Sequence, residues 1–584
     1  MKRTLLKTTC AWLFLAMFAP MTASAEDIEI NATNFPDANF RNWLLEQDYG
    51  QNGVITDEEI EYIRSISVGS KNISSLKGIE HFTALTSLRC ERNQLTSLDV
   101  SQNTALTELR CDYNQLTSLD VSQNAALTEL WCWGNELTTL DVSQNTALTE
   151  LHCNYNQLTS LDVSQNTALT WLACSYNQLT SLDVSQNTAL TDLNCSSNQL
   201  TSLNVSQNTA LTTLSCDYNQ LPSLDVSQNT ALTRLECGSN PLPSLDVSQN
   251  TALTWLSCSS NQLISLDVSK NTALTDLYCY RNQLTSLDVS KNTALKYLYC
   301  YSNQLTSLDV SKNTALTELR CYSNQLKGIA MDAFIASLPV KPNDKEYSLY
   351  IYYYNDGNVC THSQVEDIKA RGWTPYDYRS WSEYEGCDDE TIVETVSVGE
   401  DGLATYCPAF NIDFSKAEKI AAYKASVDGN TVNLTKVTTV AAGEGVLLRS
   451  INGGAATEEL PTAADAEKDA DNAFVGTLTT TTLSENNGDF TNFVLSKVNN
   501  VVGFYKANDT PIAAWKAYLP VENYNADAGA RGLTIVFDDG NTTSISEIDN
   551  TTTADNAIYT LGGARVKNPA KGLYIKNGKK VIVK

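Results

Sequence analysis

From about Leu85 to Leu326 the apolar positions return every 21 residues, twelve times over. A representative copy begins at Leu106 and reads LTELRCDYNQLTSLDVSQNAA. Its opening half follows L-x-x-L-x-L-x-x-N-x-L with cysteine in the third apolar place, and period and pattern together predict a leucine-rich-repeat solenoid, parallel β with little helix. Strand alternation sends Leu109 and Cys111 inward and Glu108, Arg110 and Asp112 outward. An asparagine column runs from Asn93 to Asn324, where a side-chain amide can satisfy backbone groups left over as the chain turns. The second half, LTSLDVSQN, copies the pattern more weakly, with its own column from Asn103 to Asn313. Each coil is therefore expected to hold two short extended segments.

The flanks depart from this period, and the chain divides into segments 1–25, 26–80, 81–326, 327–390, 391–540, 541–556 and 557–584. In 26–80 Asp37 can cap a helix, ANFRNWLLEQ, and Ile60, Ile63 and Ile66 mark a second by their spacing. Their connection, DYGQNGVITDEE, has the register of a calcium loop, with Asp48, Asn52, Val54 by its carbonyl, Thr56 and Glu59 as ligands. Gly50 leaves one ligand position without a side-chain oxygen, so a helical hairpin that merely caps the first repeat fits the same residues. A cap is needed in either case, because an open solenoid end exposes leucines and strand edges. After the repeats, MDAFIASLP and SQVEDIKARG read as helices and SLYIYYY and WTPYDY as strands of an α/β closing unit. Segment 391–540 reads as a β-sandwich-like domain of short strands broken by Gly, Asn and Asp. Segment 541–556 is a polar linker, and Asn577-Gly578 marks a terminal hairpin.

The cysteine column comprises Cys90, Cys111, Cys132, Cys153, Cys174, Cys195, Cys216, Cys237, Cys258, Cys279, Cys300 and Cys321. Neighbouring coils lie about 4.8 Å apart. Pairing equivalent residues would break an evenly spaced ladder, so buried thiols packed as small hydrophobes are expected. Cys360 and Cys387 are candidates for pairing, which would leave Cys407 over. An aspartate column from Asp99 to Asp309, interrupted by Asn204, reads as a solvated face on which cations can gather.

The copies also differ from one another in an ordered way. While LTSLDVSQNTALT barely changes, the outward positions around the cysteine change almost every time. Trp131, Trp133, His152, Tyr155, Trp171 and Tyr176 form one aromatic group; Trp255, Tyr278, Tyr280, Tyr297, Tyr299, Tyr301, Arg320 and Tyr322 form another. A kept framework with a varied face points to ligand binding on a concave sheet, since exposed aromatics give large contact area at small entropic cost. The plainer alternative is that aromatics suit strands and support one another across them.

Composition narrows the classes. The net charge is −27, and removal of a leader holding Lys2, Arg3 and Lys7 takes it to −30, which disfavours nucleic acid. Met1 to Ala25 has a basic start, the apolar run AWLFLAMFAP and a small-residue cleavage pattern, which predicts export. No other stretch is long and apolar enough for a transmembrane segment. Histidines 81, 152 and 362 lie far apart, with no nucleophile elbow, zinc signature or phosphate loop, so no enzyme and no cofactor beyond calcium is expected. The cysteine-bearing repeat followed by LDVSxNTALT resembles the cysteine-ladder repeats of internalin-J-type bacterial surface proteins over residues 85–326. That resemblance implies an extracellular adhesive or binding protein; a monomer is expected. The tail around Gly572, Leu573 and Tyr574 looks like type IX secretion sorting modules, which implies surface attachment. A protein ligand on the concave face is the leading expectation, with a glycan ligand or a purely structural spacer as alternatives.

Overall fold

The computed structural model describes residues 27–538, apart from 343, 355–356, 389–391, 430, 464–465, 489, 499–500, 508 and 523–532. Beyond these it describes only strand backbone between 558 and 583. The leader, the linker 541–556 and the Asn577-Gly578 turn lie outside the described residues. The chain forms two compact units, Met1–Leu253 and Thr254–Lys584.

In the first unit Asp37 caps the helix Ala38–Glu46 by accepting the N–H groups of Asn39 and Phe40, while the helix buries Phe40 and Leu44. The other oxygen of Asp37 accepts Ser74 N at 2.7 Å and Ser74 Oγ at 2.8 Å, which ties the helix to the first coil. A second helix, Asp57–Tyr62, starts with a capping box between Thr56 and Glu59. It ends earlier than the isoleucine spacing predicts. Ile66 belongs instead to strand Ser65–Ser67, whose alternating burial and parallel pairing with Ser87–Arg89 make it the first rung of the sheet. Over three residues, a spacing of three fits a helix and a turn-plus-strand equally well, and the sheet pairing decides.

The following coils contribute strands Glu108–Arg110, Glu129–Trp131, Glu150–His152, Trp171–Ala173, Asp192–Asn194, Thr213–Ser215 and Arg234–Glu236, each parallel to the last and in register. Their central leucines and following cysteines are buried. Asparagines join the coils. Asn177 Nδ2 donates to Cys153 O at 3.0 Å and Cys174 O at 3.1 Å, and its Oδ1 accepts Leu158 N at 3.0 Å. The second column works alike: Asn166 Nδ2 donates to Val142 O and Asn145 O, both at 2.9 Å. The residue before the first asparagine turns the chain in the left-handed region, with φ of 50° at Tyr155 and 53° at Tyr176. That conformation is costly for tyrosine, and the asparagine bonds offset it. The second half of the coil forms no strand; it holds bends and turns with an isolated parallel bridge between Asp99 and Asp120, so the second extended segment expected is realised only in part. Each aspartate accepts the N–H two residues on, as Asp162 does from Ser164 at 2.9 Å, and so bends the backbone.

The second unit continues the same architecture with strands Trp255–Ser257, Asp276–Tyr278, Tyr297–Tyr299 and Glu318–Arg320. Strands Ser348–Tyr352 and Thr374–Asp377 of the closing unit add to that sheet in parallel, separated by helix His362–Ala370 and preceded by helix Ile329–Ser337. Asn358 reproduces the asparagine column outside the repeat, donating to Cys321 O and Ile351 O at 3.0 Å. Beyond lies a β domain. A five-stranded sheet packs Tyr423, Leu434, Leu447 and Phe537 against Phe493, Leu519 and Val521 of a second sheet. Its other face packs Ile420, Ala422 and Val446 against Val396, Val398 and Leu460, so the central sheet is covered on both sides. This domain is joined to the closing unit. Lys327 pairs with the buried Glu394 at 2.9 Å, and Ile329 N donates to Ala409 O at 3.0 Å. A four-stranded sheet, with Gly572–Lys576 antiparallel to Lys579–Val583, ends the chain.

Candidate recognition face

The varied residues stand on the outward side of the strands, and register turns them into rows. In the first unit Trp131, His152, Ala173 and Asn194 are successive partners at the last strand position. The Arg110 guanidinium lies 4.1 Å from the Trp131 ring centre, Trp131 lies 4.2 Å from His152, and His152 5.1 Å from Trp171. One row over, Trp133 meets Tyr113 at 4.2 Å, and Tyr155 stacks on Tyr176 at 4.2 Å with 9° between planes. Trp171, Tyr155 and Tyr176 are exposed, whereas His152 is buried among its neighbours and supports them rather than offering surface. Burial holds the His152 pKa below its ordinary value, despite Glu150 at 3.4 Å.

Part of the charge on this face is matched within it. Glu108 pairs with Arg89 at 2.9 Å and Arg110 at 2.6 Å, Arg110 also reaches Glu129 at 3.2 Å, and Arg234 pairs with Glu236. Two carboxyls are pressed upward in pKa, Asp112 to about 6 by burial and Asp217 to about 7 by burial and the adjacent Glu236.

In the second unit Trp255 meets Tyr278 at 4.8 Å, and Tyr278 meets Tyr299 at 4.7 Å. Arg320 lies 4.4 Å from the Tyr299 ring centre and 4.6 Å from that of Tyr350, with Glu318 at 2.6 Å. Beside this row Tyr280, Tyr301, Tyr322 and Tyr378 stack at 4.4, 4.5 and 4.7 Å. Tyr297 is exposed, but Tyr322 is buried, covered by Tyr353 and Tyr378. The closing unit thus adds residues that the repeat alone does not bring forward: Tyr350, Tyr378 and the exposed Trp381, whose φ is +54°. The strand SLYIYYY is the sequence signal for Tyr350, and WTPYDY, with the Trp381 that follows it, for the other two.

The twelve column cysteines are wholly buried, and burial raises the pKa of thiols such as Cys90 and Cys174. Backbone joins Cys360 to Cys387, whose N–H donates to Cys360 O at 3.0 Å. In the loop read as a calcium site, Asn52 Oδ1 accepts Val54 N at 2.9 Å and Gly53 has φ +82°. Glu59 Oε2 accepts Thr56 N at 2.8 Å and Thr56 Oγ1 at 3.0 Å, so binding calcium requires it to leave its cap; Asp48 stands at the start of the loop. Among the described residues no three His, Cys, Asp or Glu side chains converge as a metal site. No helix among them is long and apolar enough to cross a membrane.

No protein-family profile matches the chain. Internalin J of Listeria monocytogenes serotype 4b (strain F2365) is 42% identical over 70 residues, 12% of this chain and 8% of that protein. Among solved structures, the functional domain of InlJ from Listeria monocytogenes, which includes a cysteine ladder, is similar at 32% identity and a TM-score of 0.45, over 64% of this chain and 96% of that one. The internalin InlF from Listeria monocytogenes is similar at 26% identity and a TM-score of 0.49, over 54% and 98%. The leucine-rich-repeat protein LIC12759 of Leptospira interrogans is similar at 24% identity and a TM-score of 0.47, over 55% and 85%. In-register strands and the buried cysteine column of this chain itself define its repeat class.

Proposed function

From a chain built on a cysteine-ladder leucine-rich repeat similar to that of internalin J, we propose a secreted or cell-surface recognition and adhesion protein that binds a protein ligand on the outward face of its strands. The observation that carries this reading is the division between framework and face. Leucine, cysteine and asparagine columns stay constant, while the outward positions vary and gather into one aromatic cluster in each unit. Rings held against one another lose little freedom on contact, which is what an interface anchor requires. The apolar leader sequence and the sorting-like tail support export and attachment at the surface.

The test is binding of the full chain to protein and glycan arrays, beside a variant with Trp131, Trp133, Tyr278 and Tyr299 changed together to alanine. A protein captured by the parent and lost by the variant, with the variant's circular dichroism unchanged, is the expected result. Capture of glycans alone would transfer the face to carbohydrate recognition. Equal capture by both chains would leave a spacer.

A further inference from the structure

Of the places on the outward face that combine an aromatic ring with carboxylates, which include Tyr297 between Asp276 and Glu318, three compare directly, and two of these are complete. Arg110 lies over Trp131 and pairs with Glu129; Arg320 lies over Tyr299 and pairs with Glu318. In each, a guanidinium from the chain itself sits on the ring and meets the acid. The third place, in the first unit, has the ring and the acids only. Trp171 occupies the first position of its strand, with Glu150 opposite it in the preceding coil and Asp192 opposite it in the next. Parallel pairing puts such neighbours about 4.8 Å away on either side.

The geometry of this third place is set. Thr191 Oγ1 donates to Asp192 Oδ2 at 2.8 Å and holds the carboxylate. Trp171 is braced from beneath by His152 and is 44% exposed. Asp192 forms no ion pair with lysine or arginine among the described residues, and Glu150 has only the buried His152 at 3.4 Å. The stacked, exposed pair Tyr155 and Tyr176 belongs to the same two coils as Glu150 and Trp171. A cation on an apolar stem complements this arrangement. Its charge meets two carboxylates and the negative face of the indole, and its stem lies along the ring.

We infer that Glu150, Trp171 and Asp192 form a seat for a basic side chain, arginine or lysine, presented by the polypeptide ligand. This rests on the protein-binding reading above and gives it a chemistry: the ligand segment is cationic where it crosses Trp171.

Fluorescein-labelled nona-arginine and its neutral counterpart nona-citrulline, titrated into the full chain and followed by anisotropy, test the seat. Three variants accompany the parent: Glu150→Gln with Asp192→Asn, Trp171→Ala, and Asp120→Asn with Asp162→Asn. The last removes two charges from the exposed aspartate column instead. The first two variants are expected to weaken nona-arginine binding by about tenfold or more, and the third by less than twofold. The carboxamide oxygen that Asp192→Asn introduces can still accept from Thr191, so the double carboxamide variant stays informative if Trp171→Ala unfolds. Equal weakening by the aspartate-column variant, or equal binding of nona-citrulline, overturns the seat as mere attraction to an acidic protein. Failure of nona-arginine to bind the parent overturns it too, while the array result on the aromatic variant stands or falls separately.

Discussion

Asp217 keeps a half-buried carboxyl, with Gly238 N donating to its Oδ1 at 2.6 Å and Glu236 beside it. Its pKa of about 7, like that of about 6 at Asp112, lies above the unfolded value. The folded state therefore binds these protons more tightly. The stability this contributes is complete below the unfolded pKa near 4 and is lost as pH rises through 6 to 7. Arg234 offsets part of the cost. Asp217→Asn, which retains an acceptor for Gly238, is expected to raise stability at pH 8 by roughly 1–2 kcal/mol and to change it little at pH 4. Thermal unfolding at both pH values checks this; an equal shift at both would assign the effect to packing. The column thiols make a second residue-scale case. Wholly buried and with pKa values raised by burial, they should react with an aromatic disulfide reagent only as fast as the coils unfold. Cys174→Ser, which leaves a hydroxyl in an apolar column, should cost about 1–3 kcal/mol in denaturant titration.

Between coils, the connecting element is an asparagine amide rather than a strand of any length, since each strand pairs over three residues. Asn177→Ala would orphan the N–H of Leu158 and take one of two amide donors from Cys153 O and from Cys174 O, which keep Asn156 and Asn198. A loss of about 1–3 kcal/mol follows from one buried N–H left without a partner, read by urea unfolding; a loss below about 0.5 kcal/mol would mean that water replaces the amide. These columns are readable in the sequence because one solution is repeated in every coil, so a periodic letter reports a periodic contact. The second half of the coil misleads for the converse reason. Its apolar alternation fits a strand, but the aspartate at each turn takes the N–H two residues on, as Asp162 does from Ser164, and local bonding cuts pairing back to an isolated bridge such as that of Asp99 with Asp120. The join at Gly328 is equally hidden. A Cβ there would stand 1.8 Å from Ala409 O, at φ +52°, a demand made by residues 81 positions away (409 less 328) that no local pattern records. Gly328→Ala should loosen the β domain, seen as faster proteolysis near Ala409 with the repeats still folded.

At the scale of the molecule, the face is legible only in part. Outward positions follow from alternation, so Trp171 and Tyr297 stand in solvent as a strand pattern requires, but cover depends on what returns over them. His152 disappears between two tryptophans and Tyr322 beneath the closing unit, contacts made by rings that lie 19 to 56 residues away in the chain (152 to 171; 322 to 378). The repeated body is different, because every coil meets only its neighbours. Stability there is nearly a sum of equal coils and interfaces, and what must be kept is the period rather than the count. Removal of residues 183–203, one full period within the first unit, rejoins Leu182 to Asn204 and puts every later leucine, cysteine and asparagine back on its column. The shortened chain should fold, keep its circular dichroism and lose only a few kcal/mol, since one coil and one interface are gone. Removal of residues 183–202, one residue fewer, leaves a rejoined coil of 22 residues, the spacing that separates the paired Ser65 and Ser87, with the surplus residue in a turn built for 21. That chain should be less stable than the 183–203 deletion by about 1–3 kcal/mol in urea unfolding. If both deletions behave alike, coils are not the independent, in-register units on which the rows of the face depend.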